Sequence, residues 1–172
     1  MARCRKSRKR QINPLILIYS NGETEINYLM LKKNDLKGSR NIRIEPVFCN
    51  RKTAVNLVDY AKRHIKARNY DRNDEDRVFL VMDMDDASDE DIKSAMKKMP
   101  VNMKLIISNP DFEFWFLLHY RYCQDSLACR EPIEKLRHYE RDYDKPDVDK
   151  IYKSLRMKEE DALKNAERLR NW

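Results

Sequence analysis

The sequence predicts an α/β fold in which a central, mostly parallel β-sheet is flanked by helices and followed by a helical C-terminal segment. Short apolar runs of strand length alternate with segments of helical periodicity, which is the order typical of a parallel sheet with helical crossovers. Only two glycines occur among 172 residues, which favours long regular elements over tight turns. The length suits one domain with a substantial core, which we assign to residues 14–172.

The first half of this domain contains two strand–helix pairs. The apolar run at 15–20 predicts a buried strand, and residues 25–33 follow with apolar side chains at helical spacing. Residues 41–48 alternate apolar and polar side chains, and Pro46 favours the edge of the sheet, because proline cannot donate to a strand ladder. Residues 52–70 place their apolar side chains on one face of a helix.

The next segments repeat the pattern. The run at 77–86 begins apolar and ends in acids, which predicts a strand and its C-terminal end. Residues 88–99 predict a helix with Ser88 as its N-cap, and residues 103–109 predict another short buried strand.

Helices are predicted for most of the remaining chain. Residues 109–122 are apolar nearly all round, which predicts a buried helix with Asn109 as N-cap and Pro110 as first helical residue. The last 40 residues predict further helices with a break at 143–147.

The net charge of +7 is concentrated at the start of the chain, since residues 1–13 contain six bases and no acid. A basic tail of this kind often contacts phosphate, so Arg5, Lys9 and Arg10 are candidate nucleic-acid contacts. The alternative is a solvated, disordered leader.

No apolar run is long enough to span a membrane, and the start has no apolar signal core, so we expect a cytoplasmic protein with no membrane contact. Reduced cysteines are therefore expected. A zinc site formed by His119, Cys123, Cys129 and His138 is an alternative, but its spacing matches no common zinc signature.

Acidic side chains follow three of the predicted strands, and the carboxyl ends of parallel strands share one edge of a sheet. These acids are Glu23 and Glu25 beside Gly22, then Asp83, Asp85 and Asp86, then Asp111 and Glu113. Clustered carboxylates repel one another unless a cation lies among them, and Mg²⁺ prefers oxygen ligands. We expect Glu25, Asp83 and Asp85 to bind Mg²⁺ or Mn²⁺ and to serve in catalysis. The alternative, a solvated helix N-terminus, suits Asp89, Glu90 and Asp91 better.

Glu113 and His119 are further candidate catalytic residues on the apolar helix. A carboxylate among Phe112, Phe114 and Trp115 needs a partner or a shifted pKa. Histidine commonly serves in site chemistry, although a histidine satisfied within the core is the alternative for His119.

Four motifs in order resemble the RloB-like family, whose members are also described as abortive-infection proteins with a divergent Toprim core. The motifs are "NGETEINYL" at 21–29, "MDMDD" at 82–86, "SNPDFEFWFLLHY" at 108–120, and "YDK" at 143–145 with the later "KNAERL". The "DMDD" step also has a superficial likeness to phosphotransfer motifs, but the residues that follow it do not fit them.

This resemblance implies a Toprim-like domain that binds Mg²⁺ and acts on nucleic-acid backbones. It implies a nuclease-type effector of a phage-defence system, with an ABC/SMC-type ATPase partner and Lys145 among the residues that contact nucleic acid. The target, RNA or DNA, and the oligomeric state, including a homo-oligomer, are left open.

The chain departs from the family pattern at Asn21, which stands where the pattern has glutamate. Asparagine can ligate Mg²⁺ through its carbonyl but cannot act as a general base. Either Glu23 or Glu25 takes over the metal role, or the protein is a weakened Toprim relic that binds nucleic acid or an ATPase as a regulatory module.

Overall fold

The chain folds as the predicted α/β architecture, with four strands and seven helices in the part that the computed structural model describes. The described residues are 13–37, 42–68, 74–84, 88–123, 131–145 and 147–170. In chain order the elements are β1 Leu15–Ser20, α1 Glu23–Asp35, β2 Arg43–Phe48, α2 Ala54–Ala67, β3 Arg77–Asp83, α3 Asp89–Lys98, β4 Met103–Ser108, α4 Glu113–Leu118, α5 Pro132–Arg137, α6 Asp149–Met157 and α7 Glu159–Arg170.

The four strands form one sheet in the order β2-β1-β3-β4, and every neighbouring pair is parallel. Strand β2 lies at an edge, as Pro46 predicted. The chain leaves β1 toward β2 on one side and later returns to β3 on the other side. The connections after β1 and β3 therefore run in opposite directions, which opens a crevice at the carboxyl ends of these two strands.

Two hydrophobic clusters of described residues hold the elements together. The first lies between the sheet and helices α2 and α3, and the predicted apolar face of α2 supplies Leu57, Val58 and Ala61 to it. The second cluster joins α1, α4, α5 and α6 through residues such as Phe116 and Tyr143. The C-terminal helices are therefore packed against α1 and α4, beside the crevice.

The predicted start of the helix at 109–122 is wrong. Helix α4 begins at Glu113, its N-cap is Phe112, and the Asn109–Pro110 peptide bond is cis. The first hydrogen bond at the start of this helix is donated by Phe114 N to Asp111 O (3.2 Å). Residues 109–112 therefore form a turn after β4. The predicted burial is confirmed, because most of the α4 side chains, including Glu113, are buried.

The expectation of reduced thiols is confirmed for Cys49 and wrong for Cys123. Cys49 is a buried free thiol, whereas Cys123 is disulfide-bonded. Cysteine binds zinc as a thiolate, so disulfide-bonded Cys123 cannot serve in the zinc alternative. Within the described ranges, no helix has both the length and the apolar character needed to cross a bilayer.

Asp91 links two helices. As predicted, Ser88 caps α3, and its hydroxyl accepts a hydrogen bond from Asp91 N. The Asp91 carboxylate in turn accepts hydrogen bonds from the Ala54 and Val55 amides, which are free donors at the start of α2. This acid of the first turn of α3 therefore also caps the neighbouring helix.

We predict that Asp91→Ala lowers the free energy of unfolding by about 1–2 kcal/mol, the usual cost of losing a helix cap. Asp89→Ala is the matched control, because Asp89 is an exposed acid in the same turn; its effect should stay within about 0.5 kcal/mol. Urea unfolding followed by circular dichroism measures both. Equal effects of the two substitutions would contradict the role of Asp91 in capping α2.

Candidate functional site

Within the described residues, four carboxylates lie near one another at the carboxyl edge of the sheet, beside the crevice between β1 and β3. Glu25 lies in the first turn of α1, Asp83 ends β3, and Asp111 and Glu113 follow β4. The charges of the other three acids all act on Asp83 and raise its pKa. We call these four residues the acid cluster.

Glu25 is held in place by the turn that precedes it. Its buried carboxylate folds back over Gly22, where a Cβ atom would lie 1.9 Å from Glu25 Oε2. Gly22 is therefore needed for close approach and not for an unusual backbone angle, since its φ is −95°. The Glu25 backbone amide and the Ser20 hydroxyl both hydrogen-bond to the carboxylate. Burial and the charge of Glu113 nevertheless raise the pKa of Glu25.

Asp83 is half-buried, and its Oδ1 atom is buried without a hydrogen-bond partner among the described residues. Burial, followed by the charges of Glu25, Asp111 and Glu113, raises the pKa of Asp83 to about 7. Asp111 Oδ1 is likewise buried and unpartnered in the described part of the chain. Burial and the charge of Glu113 raise the pKa of Asp111 as well.

Glu113 is fully buried and has a partner for each carboxylate oxygen. The Tyr143 hydroxyl donates to Oε1 (2.9 Å), and Lys145 Nζ lies 2.7 Å from Oε2. Asp144, between these two donors, forms an isolated β-bridge to Asp147, and Lys145 lies in the turn next to Asp144.

Lys145 carries the positive charge of the site. Burial opposes its charged form, but the hydrogen bond to Glu113 and the charges of Glu113, Asp111 and Asp83 raise the pKa of Lys145 overall. The side chain stays 42% exposed, so it is open to solvent on one side.

His119 lies at the end of α4. It is buried, its Nδ1–H donates to Trp115 O (2.9 Å), and its ring packs edge-on against Trp115. Burial lowers its pKa, and the charged groups that act on it include Glu159 and Lys32. A catalytic role for His119 stays a prediction.

The other predicted site residues are placed as follows. Asn21 is half-buried directly after β1, next to the turn that holds Glu25. Asp85, Arg5, Lys9 and Arg10 lie outside the described residues, so their predicted roles stay predictions. Lys145, predicted from the resemblance to contact nucleic acid, lies within the acid cluster.

Two participants were not assigned a role from the sequence. Ser20 and Tyr143 bind the Glu25 and Glu113 carboxylates. Two features of the sequence could have indicated the role of Tyr143. The predicted burial of Glu113 requires hydrogen-bond donors, and Tyr143 lies two residues before Lys145 in the Tyr-x-Lys motif. Asp111 was noticed as an acid at the sheet edge but was not assigned to the site.

The donor set fits a hard divalent cation in type, because it consists of carboxylate oxygens, two of which are buried and have no hydrogen-bond partner in the described part of the chain. The carboxylate oxygens, however, are not arranged as a complete metal site. In the described ranges, no three His, Cys, Asp or Glu side chains converge closely enough to hold a metal ion. A bound cation would therefore require the side chains of the cluster to rearrange or Asp85 to contribute.

Comparison with known proteins gives one family. The family model described as RloB-like protein matches residues 16–172, which is nearly the whole chain. No curated protein and no solved structure gives a significant match.

We predict that Asp83→Asn stabilises the metal-free protein above neutral pH. The pKa of Asp83 rises from about 3.9 in the unfolded chain to about 7 in the fold, so the folded state binds more protons between these values. Stability contributed by this group therefore falls as pH rises from about 4 to about 7 and stays low above that. Allowing for partial exposure, the gain at pH 8 should be on the order of 1–2 kcal/mol, and smaller at pH 5.

Thermal unfolding in EDTA at pH 5 and pH 8 measures this effect. Asp161→Asn, which removes an exposed carboxylate on α7, is the matched control and should leave the melting temperature nearly unchanged. Destabilisation by Asp83→Asn at pH 8, or an equal gain at both pH values, would contradict the charge repulsion described for the cluster.

Proposed function

We propose, because the chain belongs to the RloB-like family, that it is a Toprim-type, metal-dependent nuclease effector of a phage-defence system. The observation that carries this proposal is the acid cluster at the carboxyl edge of the sheet, where buried carboxylate oxygens have no hydrogen-bond partner among the described residues. Repelling carboxylates reduce stability, so their concentration at the crevice of a parallel sheet favours a role in binding a cation and its ligand.

Glu25 and Asp83 are the residues we assign to Mg²⁺ or Mn²⁺, with Asp85 and the Asn21 carbonyl as further ligands and Asp111 as a neighbouring carboxylate. A cation bound there would supply orientation of a phosphodiester and activation of water. In the metal-free protein, burial and the neighbouring carboxylates raise the pKa of Asp83 to about 7, and a cation bound there would relieve this repulsion and favour the ionised carboxylate.

Glu25 is the better candidate to replace the glutamate that is missing at position 21. Glu23 is exposed, whereas Glu25 is buried and its carboxylate lies over Gly22. Both Glu25 and Asp83 are coupled electrostatically to the rest of the cluster. The assignment of Glu25 to the metal therefore rests on its position in the fold as well as on its residue type.

The second candidate function is a regulatory module that binds nucleic acid or an ABC/SMC-type ATPase without cutting. Asn21 favours it, since this residue removes one carboxylate from the family pattern. The ion pair between Lys145 and Glu113 favours it as well, because it neutralises part of the cluster. On either proposal the protein acts in the cytoplasm.

We predict that the purified protein cleaves RNA or DNA with Mg²⁺ or Mn²⁺, alone or with the ATPase partner, and that EDTA abolishes cleavage. Asp83→Asn and Glu25→Gln should each reduce the rate on the order of 100-fold or more, as for removal of a group used in the chemical step. Asp161→Asn is the matched control and should retain the wild-type rate.

Cleavage that persists at the wild-type rate in Asp83→Asn, once a contaminating nuclease has been excluded, would contradict the proposed site. Normal metal binding without cleavage of either nucleic acid, with and without the ATPase, would reject the nuclease proposal and favour the regulatory module.

A further inference from the structure

We propose that Lys145 is an internal counter-cation of the acid cluster and that a divalent cation held by Glu25 and Asp83 must also replace its ammonium group at Glu113 before the site closes. This inference rests on the proposed function, because it concerns how that same site takes up its metal. It assigns Lys145 a regulatory role in metal uptake.

The charges of the cluster require such a group. Four carboxylates act on one another, and Lys145 Nζ lies 2.7 Å from the oxygen of the most buried one, Glu113. An unpaired buried carboxylate is costly, so removal of its partner is strongly unfavourable unless another cation replaces it. In the metal-free protein, Lys145 thus supplies the charge that a bound metal would supply.

The anchoring of Glu113 permits the exchange. Its other oxygen accepts a hydrogen bond from Tyr143, whose ring is packed in the second hydrophobic cluster. Glu113 therefore keeps one donor when Lys145 leaves. Lys145 carries a flexible four-carbon stem and is 42% exposed, so its ammonium can move into solvent without disturbing the buried residues.

The unpartnered oxygens of Asp83 and Asp111 favour replacement of the Lys145 ammonium by a divalent cation. Lys145 pairs with Glu113, but Asp83 Oδ1 and Asp111 Oδ1 stay buried and unpartnered within the described residues. A divalent cation takes several oxygen ligands at once and could satisfy atoms that one ammonium does not. The described residues contain no preformed three-residue metal site, so the side chains of the cluster would have to rearrange as Lys145 moves.

A purely structural role is the competing explanation. In that case Lys145 only fastens residues 143–145 to α4, and its removal weakens the fold without favouring metal. The two explanations predict opposite changes in metal affinity, because a displaced competitor weakens binding whereas a structural support strengthens it.

The test is calorimetric titration of Mg²⁺ and Mn²⁺ into the full chain without nucleic acid, comparing wild type with Lys145→Ala and Lys145→Met. We expect both variants to bind about fivefold more tightly or better, because a positive charge beside the metal has been removed. Lys150→Ala is the matched control: Lys150 pairs with Asp147 at the surface, 3.1 Å away, and its loss changes the net charge equally. Its affinity should stay within about twofold of wild type.

Folding is checked by melting in EDTA and again with Mg²⁺. We expect Lys145→Ala to melt lower than wild type in EDTA and to gain more from Mg²⁺, since the metal then replaces the missing ammonium. A variant that binds metal equally well or more weakly, while wild type binds, overturns the inference and leaves the metal site intact. Absence of metal binding in wild type and in every variant would reject the metal site itself.

Discussion

The structure depends on the burial of one carboxylate, that of Glu113. This group lies fully buried at the start of α4, and a buried charge must be paired and hydrogen-bonded. Its partners, Tyr143 and Lys145, come from 30 residues or more along the chain. The C-terminal helices must therefore pack so that residues 143–145 reach the end of β4. The second hydrophobic cluster, which contains Tyr143, provides that packing. Folding of the C-terminal helices is therefore coupled to formation of the site.

The same site works against stability. Burial and mutual repulsion raise the pKa values of Glu25, Asp83 and Asp111, which means that their ionised forms are disfavoured in the fold. The two apolar clusters and caps such as Asp91 offset this cost. A protein that needed only to fold would not benefit from these acids, and natural chains commonly break local rules of this kind at functional sites.

Local patterns predicted most of the fold. The strands, the edge position of Pro46 and the Ser88 cap follow from periodicity and capping chemistry, which act between neighbouring residues. The start of α4 was missed because the Asn109–Pro110 signal is local, whereas the turn at 109–112 is set by its place after β4.

The gathering of acids followed from parallel topology, but the pairing of Lys145 with Glu113 did not, since a lysine's charge does not identify its partner. The RloB-like resemblance, carried by ordered motifs, agrees with the family match.

The most direct test of the account is the anomalous difference map of a crystal soaked in Mn²⁺. A peak is expected at about 2.0–2.2 Å from carboxylate oxygens of Glu25 and Asp83, a distance typical of a small divalent cation with oxygen ligands. Lys145 is expected to have moved away from Glu113 in that crystal. A map without a peak at saturating Mn²⁺, with Lys145 still paired to Glu113, would contradict the central claim that the acid cluster is a cation site.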